Sequence, residues 1–177
     1  IKVIEPPLKW IDANSNKENT ILCIGRWSAK QKNTKVLIEI LNKLDTDWQI
    51  KIIGESATKV HSKINNTKLS ITSINKLAHS EILKLYPSVK IIFVPSVWET
   101  FCLVAAEGLV AGCSVVAGPI APLMHLTSKN SGIIAQNFSA DLLLKALQED
   151  INRWENNYYQ PEKIANDWRA VLSPEVI

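Results

Sequence analysis

Short apolar runs rich in β-branched residues alternate along this chain with stretches in which apolar positions recur every three or four residues. The short runs predict buried strands, because a strand that is covered on both faces is apolar at successive positions. A glycine or a proline ends or follows several of them. The predicted strands are Ile21–Gly25, Trp48–Ile53, Lys68–Ile71, Val89–Val94, Ser114–Ala117 and Gly132–Ala135.

The stretches between these runs predict helices. Apolar residues between Val36 and Leu44 fall on one helical face and charged residues on the other, with Asn33 or Thr34 expected to cap the helix. Further helices are predicted from His79 through Tyr86, after Glu99 through Leu109, from Ala140 to about Ile151, and around Ile164, Trp168 and Leu172.

Strands that are apolar on both faces and alternate with helices are typical of a parallel sheet covered on both sides. We therefore predict an α/β fold, a Rossmann-like three-layer domain with a parallel sheet of about six strands and helices on both faces, over residues 19–155. Right-handed crossovers place the carboxyl end of every strand at one edge, where ligands bind. The loops that follow the strands are therefore the place to look for a site.

Composition and charge narrow the function. The 177 residues include 46% hydrophobic and 21% charged residues, and a net charge of +3 arises from 20 basic and 17 acidic residues without a dense basic run, which argues against nucleic-acid binding. No apolar run approaches the roughly 18 to 20 residues of a transmembrane segment. Three widely spaced cysteines argue against a disulfide framework or a metal site. We expect a cytoplasmic protein, with peripheral membrane association left open for a longer chain.

Two of the loops that follow strands carry candidate chemistry. Glu99 precedes a predicted helix and Glu107 lies within it, while the backbone amides of about Phe101 to Leu103 form an anion site at the helix start. The loop after the first strand carries Arg26 and Lys32, a guanidinium and an ammonium suited to a diphosphate.

These segments, together with Ala111–Leu123, resemble the C-terminal domain of the family 4 glycosyltransferases of GT-B fold, in which two glutamates separated by seven residues mark the donor site. The resemblance implies that Arg26 and Lys32 bind the donor diphosphate, Glu99 contacts the transferred sugar and Glu107 binds the ribose hydroxyls. Backbone amides of Phe101, Cys102 and Leu103 would cradle the phosphates, and Thr100 is also expected among the donor-binding residues. It further implies retaining transfer from a UDP-, GDP- or ADP-sugar without a required metal or other cofactor.

Three departures from the family pattern matter. Glycines are common where this chain has Thr100 and Cys102, which restricts the backbone near the phosphates. The basic loop is one residue longer, so Lys30 is an alternative to Lys32, although the register before Val36 favours Lys32. The third departure is that this chain matches only one of the family's two domains: the acceptor, a saccharide, lipid or other molecule, binds on an N-terminal domain. Residues 1–18 are expected to connect to that domain and the helix in 156–177 to pack toward it, so this fragment should bind donor but be inactive alone.

Other interpretations stay open. A non-catalytic α/β interaction module or a sugar-nucleotide epimerase of related fold would share the architecture, whereas a nicotinamide dehydrogenase is disfavoured because no G-x-G-x-x-G follows the first strand. Cys102 is expected to be a small apolar residue and His125 a surface or capping residue. Trp27 and Trp98 are expected to pack rather than to stack on a ligand.

Overall fold

Six parallel strands form the centre of the structure, a computed structural model that describes residues 11, 13, 16–124 and 130–172. The strands are β1 Glu18–Ile24, β2 Gln49–Ile53, β3 Ser70–Ile74, β4 Val89–Val94, β5 Ser114–Ala117 and β6 Gly132–Ile134. Their spatial order, β3-β2-β1-β4-β5-β6, is that of a doubly wound dinucleotide-binding sheet. The predicted Rossmann-like fold is therefore confirmed.

Helices cover both faces of this sheet. They are α1 Thr34–Lys43, α2 Ala57–His61, α3 His79–Leu83, α4 Leu103–Val110, α5 Ala140–Glu155 and α6 Pro161–Leu172, with 3-10 turns at Lys30–Lys32, Tyr86–Ser88 and Ala121–Leu123. Helix α1 packs against α2 and α5, whereas α4 packs against α6. Because right-handed crossovers run outward from β1 and from β4 in opposite directions, these two groups lie on opposite faces.

The sheet is buried because its strands are apolar on both faces. Ile21 and Leu22 of β1 and Ile91 and Ile92 of β4 have no exposed surface. Helix α4 approaches β4 closely at Gly108, where an added Cβ would lie only 2.4 Å from Ile92 Cγ1. The small residues of α4 thus allow the helix start to lie directly beside the end of β4.

The start of α1 corrects one expectation. Neither Asn33 nor Thr34 caps the helix with its side chain: Asn33 has a left-handed backbone (φ 53°) and forms no capping hydrogen bond. The Thr34 hydroxyl donates instead to the Trp27 carbonyl at 2.6 Å. This bond ties the helix to the preceding loop, which is the loop that carries the basic residues.

Helix α6 packs on the domain described here. Ile164, Ala165 and Trp168 are buried, and the Trp168 indole donates to Ser131 Oγ at 2.8 Å. Most of the expected connection 1–18, and residues 173–177, lie outside the described residues, so the proposed domain boundaries stay predictions. Within the described part of the chain, no helix combines the length and apolar character that crossing a membrane requires.

Candidate active site at the carboxyl edge of the sheet

The loops after β1 and β4 lie side by side at the carboxyl edge, because these two strands are neighbours at the point where the strand order reverses. A backbone hydrogen bond of 2.9 Å from the Val97 amide to the Gln31 carbonyl joins the two loops directly. Crevices at such switch points are the usual ligand sites of open α/β sheets. The basic and acidic loops identified from the sequence therefore meet.

A cleft of about 310 Å³ opens between these loops. It is lined by Ile24, Lys32, Val94, Glu99, Thr100, Phe101, Cys102, Leu103 and Val104. The structure thus brings together six of the eight residues named from the sequence. Arg26 and Glu107 do not line this cleft.

The Lys32 side chain extends past Gly25 to Glu99. Its ammonium lies 2.5 Å from Glu99 Oε1, and each side chain keeps 17% of its surface exposed. Gly25 makes room for this path, since a Cβ there would lie 3.3 Å from Lys32 Cδ. Lys30, the alternative to Lys32, is exposed and does not line the cleft.

The start of α4 faces the same cleft with unpaired donors. Among the residues that the structure describes, the backbone amides of Phe101, Cys102 and Leu103 have no hydrogen-bond acceptor. Unpaired amides at a helix start, together with the helix dipole, attract anions. Burial raises the pKa of the Cys102 thiol to about 11, so the thiol stays neutral beside this site, as expected for a small apolar residue.

Four other residues are named from the sequence, and the three that the structure describes do not line the cleft. Arg26 is exposed, and its guanidinium makes no hydrogen bond or ion pair with the residues that the structure describes. Trp27 is buried and donates to the Ile53 carbonyl at 3.1 Å, so it packs as expected. The expectation that Trp98 packs is wrong, since 61% of its surface is exposed at the cleft loop. His125 lies outside the described residues.

Glu107 forms a second polar centre inside α4. Its side chain is 8% exposed, and its Oε2 accepts a hydrogen bond of 2.8 Å from the Tyr86 hydroxyl. His79 Nε2 lies 2.7 Å from Oε1. The sequence identifies neither partner: its apolar spacing predicts a helix from His79 through Tyr86 but does not indicate that these two side chains reach Glu107.

No metal centre is evident in the part of the chain that the structure describes: no three His, Cys, Asp or Glu side chains are grouped there as ligands. The three cysteines, Cys23, Cys102 and Cys113, are buried and free. The polar groups of this edge are therefore cations, carboxylates and backbone amides. Such a set can neutralise phosphate and hold hydroxyl groups by hydrogen bonds.

Comparison with known proteins identifies the family to which the chain is related. The profile of the family described as glycosyl transferases group 1 matches residues 6–170. A protein from Klebsiella pneumoniae, described as an uncharacterised 41.2 kDa protein in the cps region, is 29% identical over 119 residues, which are 67% of this chain and 32% of that protein.

Two solved structures share the fold. Sucrose-phosphate synthase from Thermosynechococcus elongatus superposes with a TM-score of 0.77 at 17% identity, over 96% of this chain and 47% of that one. HepE from Anabaena in complex with UDP gives 0.66 at 14% identity, over 87% and 44%. The chain therefore spans between about a third and about half of these proteins.

Proposed function

Because this chain belongs to the family of glycosyl transferases group 1 and has the fold of a GT-B C-terminal domain, we propose that it forms the donor-binding half of a retaining glycosyltransferase. The donor would be a nucleoside diphosphate sugar. Since the chain spans less than half of the two solved proteins named above, transfer itself is proposed for a longer protein that also binds the acceptor. The family favours this role over an epimerase.

The observation that carries the proposal is the Lys32–Glu99 pair in the cleft beside the open amides of α4. A diphosphate in this cleft would replace Glu99 as the partner of Lys32 and accept hydrogen bonds from the amides of Phe101 to Leu103. Glu99 would then be free to accept hydrogen bonds from hydroxyl groups of the sugar. Lys32 would thus exchange one anionic partner for another, and the open amides would gain an acceptor.

In the proposed reaction the bond between the anomeric carbon and the diphosphate oxygen breaks, and the oxygen of an acceptor hydroxyl forms the new bond on the same face while its proton passes to the departing diphosphate. Negative charge builds up on the departing diphosphate, and Lys32, Arg26 and the helix start stabilise it. In this proposal the departing diphosphate is stabilised without a metal ion. Arg26, exposed beside the cleft, would have to turn toward the phosphates.

A thermal-shift panel of UDP, GDP and ADP with their sugars tests the proposal, with UDP first because HepE was solved with it. One base class should raise the melting temperature, since a ligand that binds only the folded state stabilises it. Lys32→Met should remove most of that shift, whereas the matched control Lys30→Met should retain it. Equal responses of the two variants would place the phosphates elsewhere, and no shift with any nucleotide would refute donor binding.

A further inference from the structure

Glu107 uses only part of its hydrogen-bonding capacity inside the protein. An ionised carboxylate has about four acceptor positions on its two oxygens. The Tyr86 hydroxyl occupies one position on Oε2 and His79 Nε2 one on Oε1, at 2.8 and 2.7 Å. Because the carboxylate only accepts, His79 must donate through Nε2. Two acceptor positions stay available, one on each oxygen, and their number matches the two hydroxyls of a ribose cis-diol.

The backbone of Tyr86 is fixed by hydrogen bonds, as its hydroxyl is. The residue is fully buried, and its carbonyl accepts hydrogen bonds from the Lys17 ammonium at 3.1 Å and the Cys113 thiol at 3.3 Å. Lys17 also donates to the Pro87 carbonyl at 3.2 Å. Burial raises the pKa of Tyr86, so its hydroxyl keeps the proton that it donates. The side chain of Tyr86 is therefore held in one position, with its hydroxyl donating to Glu107.

His79 contacts Glu107 from the open side. The His79 side chain is 62% exposed, whereas the Glu107 side chain is 8% exposed. His79 begins α3, directly after the loop that follows β3 at the carboxyl edge. A buried carboxylate needs hydrogen-bond donors to offset its lost hydration, and the described structure supplies one donor from the core and one from the surface.

From this arrangement we propose that Tyr86 and His79 are positioning residues for Glu107. They fix the orientation of its carboxylate so that the two open acceptor positions receive the ribose hydroxyls of the donor. The inference rests on the proposed function, and it adds a reason for recognition of ribose over deoxyribose. Without the hydrogen bonds from Tyr86 and His79, the Glu107 carboxylate could rotate, and the two ribose hydroxyls would lose their fixed acceptors.

The test measures sugar discrimination rather than stability. Calorimetric titration of UDP, GDP or ADP, whichever binds, is compared with its 2′-deoxy form on the wild type and on Tyr86→Phe. Loss of the hydrogen bond that orients this charged group should weaken ribonucleotide binding about tenfold, and it should weaken the 2′-deoxy form, which keeps only the 3′ hydroxyl, by less. Tyr158→Phe is the matched control, because Tyr158 is 52% exposed and its ring faces Arg153 rather than Glu107.

His79 provides a second, independent reading. His79→Gln keeps a side-chain N–H donor and should preserve discrimination between the ribose and deoxyribose forms, whereas His79→Ala should reduce it. Should Tyr86→Phe fail to fold, as judged by its thermal transition, the two His79 variants decide the question.

The outcomes separate this inference from the proposal beneath it. If the wild type binds a nucleoside diphosphate but both forms weaken equally in Tyr86→Phe and His79→Ala, or neither changes, the positioning role is overturned while donor binding stands. A wild type that binds no nucleoside diphosphate overturns both.

Discussion

Replacing Cys102 tests how the cleft is built at the start of α4. This residue has a left-handed backbone, with φ 58° and ψ 59°, although it carries a side chain. Its carbonyl accepts hydrogen bonds from the amides of Ala105 and Ala106 at 3.0 and 3.1 Å, so its conformation directs the helix into the cleft. The chain holds an unfavourable conformation at the residue that opens the helix.

The expected effect follows from comparing glycine and alanine at this position. Both Cys102→Gly and Cys102→Ala remove the buried thiol, so its packing cancels from the comparison. An L-residue in the left-handed region costs about 1–2 kcal/mol, whereas the greater freedom of glycine in the unfolded chain costs about 0.5–1 kcal/mol. The free energy of unfolding of Cys102→Gly should therefore exceed that of Cys102→Ala by about 0.5–1 kcal/mol.

Urea titration followed by circular dichroism measures this difference, which corresponds to a change in melting temperature of about 1–4 °C for a chain of this length. Ala105→Gly is the control, because Ala105 lies within α4 in the ordinary right-handed conformation, where glycine should be the less stable residue by about 1 kcal/mol. The sign of the glycine effect should reverse between positions 102 and 105. A Cys102→Ala variant as stable as Cys102→Gly would refute the reasoning.

Two further predictions concern packing and pH. Gly108→Ala should lower the free energy of unfolding by about 1–3 kcal/mol, because its Cβ would meet Ile92, and a double-mutant cycle with Ile92→Ala should show coupling; additive losses would contradict the clash. Burial raises the pKa of Asp150 to about 6, so the folded state binds the carboxyl proton more tightly than the unfolded state does, and protonation stabilises the fold. That stability is present below about pH 4 and lost as pH rises through 6. Across this pH range the free energy of unfolding of the wild type, measured by urea titration, should fall by on the order of 2–3 kcal/mol relative to that of Asp150→Asn. The same pH dependence in both proteins would contradict this prediction.

The parts of the fold that the sequence predicts well are those where burial alone decides the structure. The strands Val89–Val94 and Ser114–Ala117 have the predicted bounds, because they lie inside the sheet and are buried on both faces. The predicted edge strand begins two residues too early, since β3 alternates exposed and half-buried positions and its signal is weaker. Helix α2, at five residues, is too short to show a helical period.

The same distinction applies to the candidate site. Topology alone brings the loops after β1 and β4 together, so the proximity of Lys32 and Glu99 follows from the order of strands and helices. The partners of Glu107 do not follow from it. Tyr86 belongs to a 3-10 turn and His79 to a five-residue helix, and the contact of each with Glu107 depends on side-chain directions that apolar spacing does not encode.

Each of the two helices that follow the cleft loops is preceded by a residue in the left-handed conformation. Asn33 precedes α1 with φ 53°, and Cys102 precedes α4 with φ 58°. Asparagine adopts this region more readily than cysteine does, so the strain is greater at Cys102 than at Asn33. The hydrogen bond from the Val97 amide to the Gln31 carbonyl joins the loops that lead into both helices, so each loop limits how far the other can relax. The strain at Cys102 therefore persists because the neighbouring loop holds it, and the open amides of α4 stay directed toward Lys32.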